Sequence, residues 1–142
     1  NTTFLSMIST IWKLNESIPQ HVVNTIRNEY GNLFNKKISI LGISFKKNSD
    51  DIRNSPSLKL VNILKSAGAD VLIHDPHVQD TSSLDDALRS TEIVIIATNH
   101  DEFQNISDKI RQSNCKVVYD VWSMFSKSDF PIPKYLKLGS IL

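Results

Sequence analysis

Five consecutive apolar residues, Ile93-Val94-Ile95-Ile96-Ala97, lie between Glu92 and Thr98 without a polar interruption. A strand with one wet face alternates apolar and polar side chains. A strand apolar at every position is buried on both faces, which is the situation at the centre of a parallel sheet sandwiched by helices. The chain on either side is consistent with such a sheet. Residues 38–41 form a short strand-like run. A helix follows, with Ser55 as its cap, Pro56 at its first position, Leu60, Ile63, Leu64 and Ala67 on its apolar face, and Gly68 as its stop. Residues 71–74 are a second strand, ended by Asp75-Pro76. Residues 83–88 are a short helix capped by Ser82 or Ser83. After the 93–97 strand come a helix over 105–112 and a strand over 116–119. Pro131 and Pro133 mark a loop-like tail, and 135–142 supply an edge strand. Alternating strands and helices imply a parallel α/β sheet.

Residues 1–35 follow a different rule. Leu5, Ile8, Ile11 and Trp12 recur at helical spacing, as do Ile18, Val22, Val23, Ile26, Tyr30, Leu33 and Phe34. Asn15-Glu16-Ser17 interrupts them, and Pro19 suits the first turn of a second helix. A pair of helices, or one kinked helix, therefore leads into the α/β unit. Trp12 reads as a packing residue. The stripes Ile8, Ile11, Trp12 and Val22, Val23, Ile26 would be exposed on an isolated pair, so self-association is expected.

Composition narrows the function classes. The 142 residues are 40% apolar and 22% charged, ordinary for a globular chain with one core. No apolar run approaches the ~20 residues that span a bilayer, so no membrane role is expected. The start lacks a signal-peptide pattern. The single cysteine, Cys115, excludes an internal disulfide framework, and a cytoplasmic location is the expectation. The net charge of +1 does not suggest a nucleic-acid partner. The charge is unevenly placed, however: from Lys36 to Lys65 seven cations face two acids, and from Ala69 to Asp108 nine acids face one arginine. A local basic segment suits a small anionic ligand.

That segment contains the loop between the first strand and its helix, residues 42–55. Compact folds join a strand to a helix in about two to six residues, and this connection is far longer. It carries Phe45, Lys46, Lys47, Asp50, Asp51 and Arg53. In open α/β sheets ligands bind beyond the carboxyl ends of the strands. In a doubly wound sheet the first and fourth strands are neighbours. If this chain follows that order, the loop converges with Thr98-Asn99-His100 beyond the apolar strand. An aromatic face stacks on a base or sugar, lysine supplies a point charge for phosphate, and arginine a bidentate fork. The helix start behind Ser55 favours anions. The sum resembles a nucleotide or nucleotide-sugar pocket. The alternative is a loop held by internal Lys–Asp and Arg–Asp pairs, with Asp50 and Asp51 as partners.

Other chemistry is weaker. Gly42-Ile43-Ser44 is not a Gly-x-Gly-x-x-Gly turn, and no Walker A sequence occurs. His74-Asp75-Pro76-His77 reads as a turn rather than a metal site, and Asp75 as a structural turn residue rather than a ribose-binding acid. His100 has no identified partner and reads as a loop hydrogen-bonding residue. Nothing marks Cys115 as a nucleophile. Asp50-Asp51 with Lys46 superficially suits a phosphoacceptor site, but their order does not fit a receiver module.

The run from Leu41 to Pro56, Leu-Gly-Ile-Ser-Phe-Lys-Lys-Asn-Ser-Asp-Asp-Ile-Arg-Asn-Ser-Pro, resembles the signature of the C-terminal domain of the UDP-glucose/GDP-mannose dehydrogenase family. Further matches follow in order at His74-Asp75-Pro76, Ser83 to Leu88, Ala97 to Phe103 and Val118-Tyr119-Asp120, and Leu14 to Val23 resembles the end of the family's central dimerisation helix. The resemblance implies an α/β fold: a Rossmann-like, three-layer parallel sheet with an N-terminal helical extension. Residues 1–35 would be the end of the central dimerisation domain, and 36–142 the nucleotide-sugar-binding domain. The family oxidises the C6 alcohol of a nucleotide sugar to a carboxylate with NAD. By motif position, Phe45 and Lys46 would contact the nucleotide sugar and Arg53 would reach the NAD. The nucleophilic cysteine, the catalytic lysine and the glycine-rich NAD turn belong to parts outside this chain. No catalytic residue and no metal ligand is therefore expected here, and the chain alone should be inactive. The absence of an initial methionine agrees with a fragment of a larger homodimer. Many members have Asp-Gly-Arg where this chain has Asp120-Val121-Trp122. A UDP sugar is favoured over GDP-mannose. The alternative is a non-catalytic α/β nucleotide-binding or interaction module.

Overall fold

A computed structural model describes residues 2–14 and 16–138. Asn15, in the expected break between the first two helices, and 139–142, the end of the expected edge strand, lie outside the described residues. Helices α1 (Thr2–Leu14) and α2 (Ile18–Tyr30) are followed by β1 (Lys37–Leu41), α3 (Pro56–Ser66), β2 (Asp70–His74), α4 (Leu84–Leu88), β3 (Ile93–Ile96), α5 (Ser107–Gln112), β4 (Val117–Asp120) and β5 (Lys134–Lys137). The five strands form one sheet in the order β2-β1-β3-β4-β5, parallel at every pairing. The fold is α/β, a three-layer parallel sheet with an N-terminal helical extension, as the alternation of elements predicts.

Layering follows from the strands' period of two. On β1 and β3, Ile38, Ile40, Ile93 and Ile95 face a core shared with α1, α2 and α3. Their neighbours Leu41, Val94 and Ile96 face a second core with Phe103, Ile110 and Leu88. Ser39 is the polar exception within β1. Its hydroxyl, 1% exposed, donates to the Ala87 carbonyl of α4 and contacts the Thr91 hydroxyl at 2.8 Å, so its burial leaves no orphan.

The local start and stop signals hold. The Ser55 side chain accepts from the Ser57 N–H, with Pro56 opening α3, and Ser83 caps α4 through the Asp86 N–H. The expected helix over 105–112 is divided: Asp101–Asn105 forms a 3₁₀ turn, and α5 starts only at Ser107. The break falls at Ile106, whose side chain is buried in the second core while its N–H bonds back to Phe103.

The expected route to self-association fails. Ile8, Trp12, Val22, Val23 and Ile26 are buried in the chain's own core. The physical reason is that α2 lies along α3 and over β4, so the stripes meet the sheet layer rather than solvent.

One buried acid sits at the end of β4. Asp120 is fully buried, and its Oδ2 accepts from the Phe125 N–H and the Tyr135 hydroxyl, each at 2.8 Å. Its Oδ1 has no hydrogen-bond partner among the described residues. Burial pushes this carboxyl above the usual range, against the opposing pull of those donors. A carboxyl raised in the fold contributes fully below its unfolded pKa, and that contribution is lost as pH rises through the folded pKa. Asp120→Asn keeps the accepting oxygen and removes the charge. We expect it to melt above the wild type at pH 8, with the gap closing by about pH 4, near the ordinary aspartate value. Thermal unfolding at the two pH values checks this; an equal or lower melting temperature at pH 8 counts against it.

Candidate functional site

The connection from β1 to α3 is an ordered platform rather than a slack loop. It begins at Gly42, with φ +96°, where a Cβ would lie 2.4 Å from the Thr98 Cβ and 2.9 Å from the Thr98 backbone nitrogen. The chain can therefore leave β1 pressed against the end of β3 only with no side chain at this position. The next two N–H groups, of Ile43 and Ser44, donate to Asp75 Oδ2 at 2.8 and 3.2 Å. Asp75, 2% exposed at the end of β2, also accepts from His77 N–H at 2.9 Å and from His100 Nε2 at 3.0 Å. The Asn48 N–H donates to His100 Nδ1 at 2.8 Å, which places the imidazole proton on Nε2, towards Asp75.

Burial alone would raise the Asp75 carboxyl. The hydrogen bonds from His100, Ile43 and His77 outweigh it and hold the group below its ordinary range. His100 is fully buried and bonds to Ser44 and Asn48 of the loop and to Asp75, the loop hydrogen-bonding role expected from the sequence, now with its partners identified. Those partners are 25, 52 and 56 residues away, so no local signal announces them. Asp75 is structural, as expected, but what it secures is the β1 loop as well as its own turn.

Further along, the Phe45 N–H donates to the Asp51 carbonyl at 2.7 Å. The Arg53 fork grips the Asp51 carboxylate through Nε at 3.0 Å and Nη2 at 2.8 Å, and these bonds hold that carboxyl down to about 2. The internal Arg–Asp pair of the alternative reading therefore exists. The Lys–Asp pair does not form within the loop: Lys47 meets Asp101 at 3.4 Å, on the far side of the crevice. Among the described residues, Lys46 has no carboxylate within ion-pair distance.

The strand order moves the crevice by one strand. The neighbour of β1 across the reversal is β3, not a fourth strand. The expected convergence survives because Thr98, Asn99 and His100 follow β3. Above this switch point lies an open cleft of ≈ 480 Å³ between α1 and the strand ends, lined by Lys46, Lys47, Asn99 and Trp122 from the α/β unit and by Ser9, Thr10 and Lys13 from α1. Trp122 is 5% exposed, and its Nε1 donates to the Ala97 carbonyl at 3.0 Å, tying the loop after β4 to the end of β3. Phe45 is half-buried with Lys13 Nζ 4.6 Å from its ring centroid. Lys46 lines the cleft, Phe45 borders it only through Lys13, which lies over its ring, and Arg53 is an exposed residue paired with Asp51. Lys13 escaped the sequence reading, since nothing local links a helix residue to a loop residue 32 positions later. Cys115 is buried, and burial pushes its thiol up, away from the activated thiolate a nucleophile needs.

Fold and crevice together define a doubly wound α/β domain with a cationic cleft at its topological switch point. The sequence profile described as "UDP-glucose/GDP-mannose dehydrogenase family, UDP binding domain" matches residues 39–127, and the chain belongs to that family. It is 31% identical over 127 residues to a UDP-N-acetyl-D-mannosamine dehydrogenase of Methanococcus maripaludis, covering 82% of this chain and 30% of the relative. It is 30% identical over 118 residues to a UDP-glucose 6-dehydrogenase of Haloferax volcanii, covering 75% of this chain and 27% of that one. Among solved structures, the UDP-N-acetyl-mannosamine dehydrogenase of Staphylococcus aureus superposes with a TM-score of 0.74 at 31% identity, over 89% of this chain and 32% of the other. The chain thus spans less than a third of the length of these relatives.

Proposed function

We propose that this chain is the nucleotide-sugar-binding part of an NAD-dependent dehydrogenase that oxidises the C6 alcohol of a UDP sugar to a carboxylate. The observation that carries the reading is the cleft itself. The signature loop is braced by Asp75 and His100, and its Lys46 lines the cleft at the switch point, where doubly wound sheets bind ligands. A braced loop lowers the ordering cost of binding. Phe45 offers a ring face to the ligand and Lys46 a charge to its phosphates. Residues 1–35 would be the exit of a central helical domain and 36–142 the nucleotide-sugar domain of a cytoplasmic homodimer.

NAD, when bound, supplies the hydride acceptor. In this chain only Arg53 is assigned to it. An exposed guanidinium fits a pyrophosphate in charge and geometry. Its present partner, Asp51, is an exposed carboxylate gripped bidentately, and a phosphate offers the same fork an equivalent pair of acceptors.

Calorimetric titration of the chain with UDP, UDP-glucose, UDP-N-acetylglucosamine and GDP-mannose tests the reading. We expect the uridine nucleotides to bind and Lys46→Ala to weaken them about tenfold or more, the scale of one charged hydrogen bond. A wild type that binds none of them overturns the reading.

A further inference from the structure

Helix α1 shows two faces. Ile8 and Trp12 point into the core, while Ser6, Ser9, Thr10 and Lys13 line the cleft. Ser6, then Ser9 and Thr10, then Lys13 recur three or four residues apart, which puts them on one helical face. Three are hydroxyls that can donate hydrogen bonds, and the fourth is a cation.

The charges around this cleft are not all matched. Lys47 meets Asp101, Arg53 meets Asp51, and Lys59 meets Glu16. Lys13 and Lys46 have no carboxylate within ion-pair distance among the described residues. Both line the same cleft, and partial burial, then the charge of Lys46, lower the Lys13 pKa. Lys13 is also held in place, its ammonium seated on the Phe45 ring. Two like charges lining one cleft repel each other. An anion carrying more than one charge relieves that repulsion.

We propose that Lys13 is a second phosphate-binding cation of this cleft, acting with Lys46 on the diphosphate of a nucleoside-diphosphate ligand; this rests on the nucleotide-sugar reading above. Lys13 stands outside the signature loop, on a helix that the loop motif does not include. It makes α1 one wall of the binding site rather than a lead-in segment only. Its position on Phe45 couples the two groups: the ring that takes one part of the ligand also fixes the cation that takes the phosphates.

The test compares uridine, UMP and UDP on the wild type, Lys13→Met and Lys13→Arg, by calorimetry at low salt. The wild type is expected to prefer UDP over UMP. Lys13→Met should shrink that preference about tenfold while leaving uridine binding unchanged, and Lys13→Arg should retain most of it. If Lys13→Met binds all three ligands as the wild type does, the proposal is overturned and the nucleotide-sugar reading stands. If it weakens all three equally, Lys13 serves only to order Phe45, and the proposal is again overturned. A wild type that binds no uridine nucleotide removes the reading and the proposal together.

Discussion

Asp75→Ala is expected to lower the free energy of unfolding by about 3–5 kcal/mol, the scale of two or more lost hydrogen bonds to a buried charged acceptor at about 1.5–3 kcal/mol each. The carboxylate takes four donors, the N–H groups of Ile43, Ser44 and His77 and the His100 imidazole, all between 2.8 and 3.2 Å. Alanine leaves the Ile43 and Ser44 N–H groups buried without their partner, and His100 with only its Ser44 and Asn48 contacts. The loss also propagates to the ligand. Ile43 and Ser44 immediately precede Phe45, so the variant frees the platform that carries Phe45 and Lys46, and UDP binding should weaken with stability.

The pH dependence follows from the same contacts. The folded Asp75 carboxyl lies below its ordinary value. Its contribution is therefore present above the unfolded pKa of about 3.9 and is lost as pH falls through the folded value. Urea unfolding at pH 7 and along a series down to about pH 3 should show a wild type that loses stability in acid more steeply than Asp75→Ala. A cost below about 1 kcal/mol at pH 7, under the range for one unsatisfied buried group, would sink this account of the loop.

Gly42→Ala is the second large expectation. The φ of +96° disfavours any L side chain, at a cost of about 1–2 kcal/mol. The added methyl would also stand 2.4 Å from the Thr98 Cβ, with the Thr98 backbone nitrogen just behind at 2.9 Å. Backbone cannot rotate away as a side-chain tip can, and overpacking of this kind adds about 1–3 kcal/mol. The two together predict a loss of about 2–5 kcal/mol by denaturant unfolding. Because β1 and β3 must separate to admit the methyl, the crevice should widen and uridine nucleotide binding should fall. A Gly42→Ala protein within about 0.5 kcal/mol of wild type, the range of inert surface changes, would mean that the close approach of loop and strand is not a constraint.

Local physics made much of this molecule legible from its residues in order. The β3 run is apolar at every position because both of its faces are buried, and that single property implies helices on both sides. Ser55 with Pro56 and Ser83 before α4 act within two or three residues of themselves, so their roles need no tertiary knowledge. The signature loop announces its importance by length and by its mixture of ring and charges. Whatever depends on distant partners was not legible. Lys13 reaches Phe45 only because the fold brings α1 to the loop, whereas the Arg53–Asp51 pair, two residues apart, is local and is one of the two readings the loop's residues allow. The stripes of α1 and α2 read as exposed because a helical period reports that one face is apolar, not what covers it. His100, Asp75 and Asn48 meet across gaps of 25 and 52 residues. Sequence by itself determined the class of fold and the segment that carries the site, because backbone preference and apolar period act over a few residues. Only the tertiary structure decided which charges are paired and which stand open in the cleft, because that is set by where the sheet order and the crossing of α1 place groups that are remote along the chain.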